Sequence, residues 1–543
     1  MGVCLLSFLQ GIWLMVFPLV LVSGMRLKNC AEDCLSGSRC CDTRRAVPRF
    51  SYGRAGLVGV FWVACFGLNI CGGQEWSQFR GGVFQGKLTT GRPVEELEEG
   101  SLRWIRQIPA GHSSPVVSKG RIYVTSFSAE EKRVATHCFS LASGEPLWMA
   151  SERVEKWPQV HPFNSQASPT CCADAAGVVS YFGAYGLIRY SNSGEKIWEV
   201  RLPIARVQYG VSTSPVVAGE KVYLVRDSRE GSFLAAYSLR DGERLWRTER
   251  PLNSTNNSSP LLIEREGGRI LVAVNGTPVS HVYDGQTGKA VFWNTGYPFE
   301  AISVPLFFEN RVLFSNRGTG SPGDPLFIPP FDVLVKKFGD GAGKALLTDR
   351  IPPGEQLVLR PEVAEGEPGR TLAMVRLVKG FMDQDRDGRV TREEYDAMSD
   401  KMTSNRNKMA SIQLNQKGQV EDGQLEWVGT RGVPEMSNPI EIGGVILTIE
   451  DGGICNLIDC RSGRQLSKKR IRSRGRYTAS PVAWKDRVYL FSSAGDWTVL
   501  SIGGNRIVTL SRGGLGERVF ATPALTEQGL VVRTEQSLRL YRD

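Results

Sequence analysis

The chain is predicted to be all-β, an eight-bladed β-propeller closed by a strand from its own N-terminal part, with a small helical EF-hand insertion in the fifth blade. Three observations predict this. A four-strand module recurs along most of the 543 residues, the last copy lacks its fourth strand, and an orphan strand with that signature lies ahead of the first copy.

The module is clearest from Thr213 to Trp246. Ser214-Pro215 opens a short apolar run, Lys221 to Val225 and Phe233 to Leu239 give two strand-like runs, and Asp241-Gly242 turns into Leu245-Trp246. The opening proline recurs at Pro115, Pro169, Pro215, Pro260, Pro305, Pro439, Pro481 and Pro523. The spacings are 54, 46, 45, 45, 134, 42 and 42, so eight modules contain one long interruption of about 90 residues, assigned to residues 317–410. The second strand repeats as Arg121-Ile122-Tyr123-Val124, Lys221-Val222-Tyr223-Leu224, Arg311-Val312-Leu313-Phe314 and Arg487-Val488-Tyr489-Leu490. Branched and aromatic residues of this kind suit a pleated, packed surface.

A glycine precedes a tryptophan by four in Gly144/Trp148, Gly194/Trp198, Gly242/Trp246 and Gly423/Trp427, and by five in Gly288/Trp293. Ser467 and Val508 hold the tryptophan slot of the sixth and seventh modules. Such a tryptophan presents a large apolar face to the neighbouring blade. The eighth module stops at Asp543 without this strand, whereas Gly100 to Trp104 carries the signature with no three strands before it. A closing strand over residues 100–108 would leave no blade with an unfilled edge.

The interruption holds the most specific motif. Asp383, Asp385 and Asp387 stand at positions 1, 3 and 5 of an EF-hand loop, Gly388 at 6, Arg389 at 7 with its carbonyl, Thr391 at 9 and Glu394 at 12. Hard oxygen donors at this spacing point to Ca²⁺. Leu372 to Phe381 and Tyr395 to Met402 are the expected flanking helices, a helix-loop-helix over 371–402. No second loop stands out to pair with it, and Asp332 to Phe338 is one further expected helix.

Beyond the modules, Trp76-Ser77-Gln78-Phe79-Arg80-Gly81, Tyr181-Phe182-Gly183-Ala184-Tyr185-Gly186-Leu187, Arg431-Gly432-Val433-Pro434, Asp451-Gly452-Gly453-Ile454 and Arg518-Val519-Phe520-Ala521-Thr522-Pro523 are conspicuous. With the partial Asp-x-x-x-Gly-x-x-x-Trp endings, they resemble the pyrroloquinoline-quinone-type propeller repeat, as found in exported proteins of planctomycete-type bacteria. The resemblance implies either a binding scaffold, as in the lipoprotein that assists outer-membrane protein assembly, or a quinone (PQQ)-dependent oxidoreductase. The calcium and catalytic aspartate constellation of the latter has no counterpart in this sequence. Cys171-Cys172 resembles the vicinal pair that lies over the quinone in some of those enzymes, but its place at the start of an inner strand favours packing.

Residues 1–73 read as a leader. Residues 3–22 are apolar and long enough for a membrane span, unless translation begins at Met25, and residues 55–73 resemble a signal peptide cut near Gln74. The basic stretch between them predicts export of everything after Ile70, to the periplasm or cell envelope, with the N-terminus as candidate membrane anchor. The body then comprises residues 74–316, the insertion 317–410 and residues 411–543. The leader carries seven basic and three acidic residues, so of the net charge of +10 only +6 remains on the body. No Lys/Arg-rich run with interleaved aromatics points to nucleic acid. Seven of the twelve cysteines lie in the leader, and the remaining five form no disulfide framework or zinc motif.

A propeller binds ligands at one mouth of its channel, in loops that here precede each proline. Those loops contribute His112, His161, Asn164, Tyr209, Asn256, Glu300, Glu435, Tyr477 and Arg518. No nucleophile elbow, HExxH or phosphate loop is present, and four histidines limit acid/base chemistry. The expected function is therefore an exported Ca²⁺-binding scaffold for a protein or small-molecule partner, without catalysis of its own.

Overall fold

A computed structural model describes residues 75–543 except 254, 299–300, 319, 322–323, 326–328, 359–364, 366–370, 384 and 405. The leader segments at 3–22 and 55–73 and the candidate Glu300 lie outside the described residues. No described helix is long and apolar enough to cross a membrane.

Eight antiparallel sheets form the blades of the propeller. Blade 1 runs from Val116–Ser118 through Arg121–Ser128 and Arg133–Ser140 to Pro146–Arg153, and blade 3 from Val216–Ala218 to Arg244–Glu249. Blade 5 takes Leu306–Phe308 and Arg311–Asn316, then resumes with Lys408–Gln413 and Trp427–Gly429, so the insertion loops out between its second and third strands. Blade 8 has only Ala524–Thr526, Gly529–Arg533 and Ser537–Tyr541 from the C-terminal end. Its fourth strand is Leu102–Gln107, paired antiparallel with Trp104 opposite Leu540. Ring closure by the N-terminal part thus holds, and the closing strand is two residues shorter at its start than the signature Gly100 to Trp104 suggests.

Burial explains the sequence pattern. Middle strands such as Gly177–Phe182 and Val445–Glu450 are buried along their whole length, because both faces meet a neighbouring blade. Outer strands such as Arg244–Glu249 alternate, because one face looks outward.

The tryptophan wedges work between blades. Trp104, Trp148, Trp198, Trp246 and Trp427 donate Nε1–H to the carbonyls of Leu141, Asn192, Leu239, Gly285 and Cys460, each in the next blade, over 2.9–3.3 Å. Under each ring lies a glycine of that blade. A Cβ on Gly194 would come within 2.8 Å of Trp148, and φ there is +88°, which disfavours other residues independently. Gly423 packs under nothing, and the glycine beneath Trp427 is Gly463 of blade 6.

Two details of the repeat are corrected. In blade 2 the slot of the opening proline is held by Cys171, not its neighbour two residues earlier, Pro169: Thr170 and Ala173 make the hydrogen bonds that Ser114 and Val117 make in blade 1. In blade 4 the inward slot after Gly288 is Phe292, fully buried, and Trp293, one residue further on, falls on the opposite face of the strand. Trp293 there faces Gln419, where Gly418–Gln419 adds a parallel fifth strand to the outer edge of blade 4.

Candidate functional site: a closed channel and an acidic loop

One end of the channel is filled by the chain itself. Glu75 to Leu88 runs around the inside of the ring and satisfies inner-strand amides that face the lumen. Val117 N–H donates to the Trp76 carbonyl, Ala173 N–H to Ser77, Val217 N–H to Gln78 Oε1, Phe307 N–H to Gln85 Oε1 and Ala483 N–H to Gly86, all within 2.7–2.9 Å. Arg80 donates to the carbonyl of Pro439 at the start of blade 6, Phe79–Phe84 packs on Leu261–Arg265 of blade 4, and Lys87–Leu88 packs on Ala524–Thr526 of blade 8. This short segment therefore touches all eight blades. Arg80 is buried without a carboxylate, and burial pushes its guanidinium down to about 9. A Cβ on Gly82 would strike Gln78, so the Trp76–Gly82 motif is the geometry of this plug.

A hydroxyl ring surrounds the other end. The amide before each opening slot donates to the equivalent side chain one blade on: Ser114 to Thr170, Thr170 to Ser214, Ser214 to Ser259, Val304 to Asn438, Asn438 to Ser480, Ser480 to Thr522 and Thr522 back to Ser114. The step from Ser259 to Val304 has no such link, since valine offers no acceptor.

Above this ring lies the mouth. The loop between blades 1 and 2 sends Phe163 against Phe520 at 6.1 Å, in the loop entering blade 8, and under the Arg476 guanidinium at 5.2 Å, in the loop entering blade 7. Blades 2 and 7 are three places apart around the ring, so Phe163 reaches over part of the channel mouth. His112 stacks on Phe520 at 4.2 Å, Arg518 lies over the same ring at 4.6 Å, and His161 meets Phe163 and Tyr209 at 5.6 and 5.5 Å. Asn164 Nδ2 donates to the Tyr209 carbonyl. These eight side chains, five predicted and three newly seen, form one largely aromatic and cationic cluster.

Two predicted residues stand elsewhere, and a third, Glu435, meets the cluster through Arg476. Tyr477 is 1% exposed in the core between blades 6 and 7, its hydroxyl bonded to Ser473. Asn256 is buried, holding Asp227 and the Ala301 amide. Glu435 reaches Arg476 at 3.3 Å, and Arg476 is also paired with the fully buried Asp451.

Sequence reasoning missed that pair and its twin. Arg250 and Asp227 are 0% and 1% exposed at their side chains and form a two-pronged ion pair at 2.9 and 3.1 Å, with Tyr283 completing the guanidinium. Burial pulls Arg250 down, but Asp227 and Tyr283 more than offset it and its pKa is raised. Both aspartates lie twelve residues after their opening proline, Pro215 to Asp227 and Pro439 to Asp451. That shared offset was the available signal.

The insertion forms its own core from Phe331, Leu334, Phe338, Leu346, Leu377, Val378, Met382, Val390 and Tyr395. The helix expected at Asp332 to Phe338 is Phe331–Phe338. The helix expected at Leu372 to Phe381 is instead a strand, Thr371–Ala373, then one α turn, Met374–Leu377, and a π turn, Val378–Met382. Gln356–Val358 pairs with that strand and holds its start extended. The following helix spans Arg392–Ser404. The loop strand Arg389–Thr391 also has a partner the sequence did not reveal: Ala345–Leu347, with Leu346 opposite Val390. This partner strand lacks the ligand residues of an EF-hand loop, and Asp340, five residues ahead of it, binds Arg389 at 2.9 Å.

Carboxylate oxygens of Asp383, Asp385 and Asp387 lie within 4.8 Å of one another. Asp383 is 6% exposed; Oδ2 accepts from Gly388 N–H at 3.2 Å, while Oδ1 is buried with no hydrogen-bond partner. Gly388 has φ +83°, as a sharp turn at position 6 demands. Glu394 Oε2 accepts from the Thr391 amide and hydroxyl. A buried carboxylate oxygen without a donor is costly, and a cation would satisfy it.

Cys138, Cys171, Cys172, Cys455 and Cys460 are buried free thiols. Burial pushes Cys171 up to about 12 and Cys172 well above its usual value, which suits packing and opposes nucleophilic use.

Residues 137–289, from the third strand of blade 1 into blade 4, match the family PQQ_2, described as outer membrane protein assembly factor BamB. Over these residues the chain is thus similar to propeller repeats of the PQQ/BamB type. Among solved structures, BamB from Moraxella catarrhalis is similar over 81% of this chain and 98% of its own, at 10% identity and a TM-score of 0.47. The computationally designed Ika8 protein has the same coverage and TM-score at 12% identity. The quinohemoprotein alcohol dehydrogenase ADHIIG from Pseudomonas putida HK5 is similar over 86% of this chain and 80% of its own, at 11% identity and 0.46. No curated protein matches in sequence.

Proposed function

We propose that this chain is an exported propeller of the cell envelope that acts as a protein-binding scaffold, without catalysis of its own, and carries a Ca²⁺ in its insertion. The observation that carries the scaffold reading is Phe163 reaching over part of the mouth to Phe520 and Arg476. A planar quinone at the mouth would have to displace that ring, and the buried charge beside it, Arg476, is already committed to Asp451. The residues at the mouth therefore do not fit the quinone of the alternative, oxidoreductase reading. Small molecules are disfavoured for the same reason, and exposed side chains such as His161 and Arg518 are left to meet a macromolecule.

For the metal, Asp383, Asp385, Asp387 and Glu394 would supply carboxylates, Arg389 its carbonyl and Thr391 the position-9 contact. The ion would stiffen the insertion by neutralising three clustered aspartates.

The test is a dye-linked dehydrogenase assay with added quinone and Ca²⁺, run beside chemical cross-linking in the native envelope. The expected result is no turnover, no change in quinone absorbance and a specific cross-linked protein. Turnover, or the absence of any cross-linked partner, overturns the reading.

A further inference from the structure

Between Arg461 and Arg476 the chain has eight basic residues and no acidic one. This stretch contains Gln465–Arg470, the outermost strand of blade 6, paired on one side with Ile454–Asp459 and bare on the other among the described residues. Lys468, Arg470 and Arg472 are exposed and two residues apart, so an extended backbone sets their Cα atoms roughly 7 Å apart along one face. Lys469 points the opposite way and donates to the Ile507 carbonyl of blade 7 at 3.0 Å. Arg461, Arg474 and Arg476 have carboxylate partners in Glu309, Asp496 and Asp451. Arg464, Lys468, Lys469, Arg470 and Arg472 have none among the described residues within 4 Å, and Arg470 reaches only the Gly452 carbonyl. The run thus has more positive charge than the fold uses.

We infer that this edge of blade 6 is a docking site for an extended, acidic polypeptide segment, which adds as a further strand and sets alternate carboxylates against Lys468, Arg470 and Arg472. The inference rests on the scaffold reading and gives it a surface. Three features select this occupant. The edge offers unpaired backbone donors and acceptors, and the protein already completes another outer edge this way, with Gly418–Gln419 on blade 4. Like charge keeps a second copy of the same edge away, as lysines on edge strands do. The run has no aromatic residue for base stacking and no exposed large apolar side chain to enter a lipid surface, which disfavours single-stranded nucleic acid and membrane.

The probe is a fluorescein-labelled ten-residue peptide of alternating Glu and Val, followed by anisotropy at low and high salt. Comparators are the same peptide N-methylated on alternate residues, phosphatidylglycerol vesicles and a single-stranded oligonucleotide. The proteins are the full chain, K468E/R470E/R472E, the milder K468Q/R470Q/R472Q in case charge reversal unfolds the blade, and R244E on the outer strand of blade 3. Expected are salt-sensitive binding to the wild type, at least tenfold loss in either triple variant, loss on N-methylation and no change in R244E. Equal binding to the triple variants, indifference to N-methylation, or tighter binding of vesicles or oligonucleotide overturns the inference. Failure of the peptide to bind the wild type also overturns it, while a persisting cross-linked partner would leave the scaffold reading intact.

Discussion

The amide of Thr522 donates to Ser114 Oγ at 3.0 Å, and this one bond joins the last blade to the first across 408 residues of sequence. It is the closing link of the hydroxyl ring, reinforced by Arg533, which donates to the Ser113 carbonyl and hydroxyl and to the Thr125 carbonyl. Replacing Ser114 with alanine removes an acceptor from a buried amide and should cost about 1–3 kcal/mol. Urea unfolding should show that loss. The same change at Ser258, whose hydroxyl contacts only its neighbour's carbonyl among the described residues, should cost about 1 kcal/mol or less.

The glycine beneath each wedge gives a second test. Gly194→Ala meets both a positive φ and the Trp148 ring at 2.8 Å, whereas Gly219→Ala meets a positive φ of +55° with nothing within 4 Å. Gly219→Ala should cost about 1 kcal/mol from the backbone alone, and Gly194→Ala about 1–3 kcal/mol more from the crowded contact. Equal melting temperatures for the two variants would show that the wedge is loose.

The repeat was legible because strand chemistry and glycine turns recur locally, and even ring closure could be read from Trp104 and the truncated last module. The mouth was less legible. His112, His161, Asn164, Tyr209 and Arg518 were placed there by position in the module, but Phe163 lies in a long loop with no repeat to predict its reach. Tyr477 follows the same positional rule and is core, because its ring turns inward between blades 6 and 7. The plug was hidden for a different reason: Glu75 to Leu88 bonds mainly through backbone groups and two glutamines, which carry no sequence periodicity. Pro169 misled because a proline two residues upstream of the slot satisfies the same local pattern.

Acid should destabilise the ring through its histidines. Burial pulls His112 and His137 down to about 4 and His281 to about 3, with Arg533 and Arg250 adding to the effect. Folding keeps these rings neutral, so the unfolded chain binds more protons between pH 6.5 and 4. Their stability contribution is fully present above pH 6.5 and is lost as pH falls towards 4. For His137, buried and bonded to Ser126 Oγ at 2.7 Å, the loss is on the order of 3 kcal/mol at most. His137→Gln keeps a partner for Ser126 and removes the titration. Melting temperature measured from pH 7 to pH 4 should therefore fall less steeply in the variant, and parallel curves would refute the assignment.

The acidic loop makes the last prediction. Asp383 Oδ1 is buried without a donor, and its carboxylate lies close to those of Asp385 and Asp387, so the metal-free loop holds uncompensated negative charge. Added Ca²⁺ should bind with micromolar to millimolar affinity, because Arg386, Arg389 and Arg392 weaken the local field. Asp383→Ala should abolish the heat of Ca²⁺ binding in calorimetry. Asp340→Ala, which frees the Arg389 guanidinium without removing a ligand atom, should leave a measurable heat and shift only the affinity. Equal heats in wild type and Asp383→Ala would remove the site. If the ion stiffens the insertion, hydrogen exchange at Leu346 and Val390, opposite each other in the paired strands, should slow on Ca²⁺ addition in the wild type and not in Asp383→Ala.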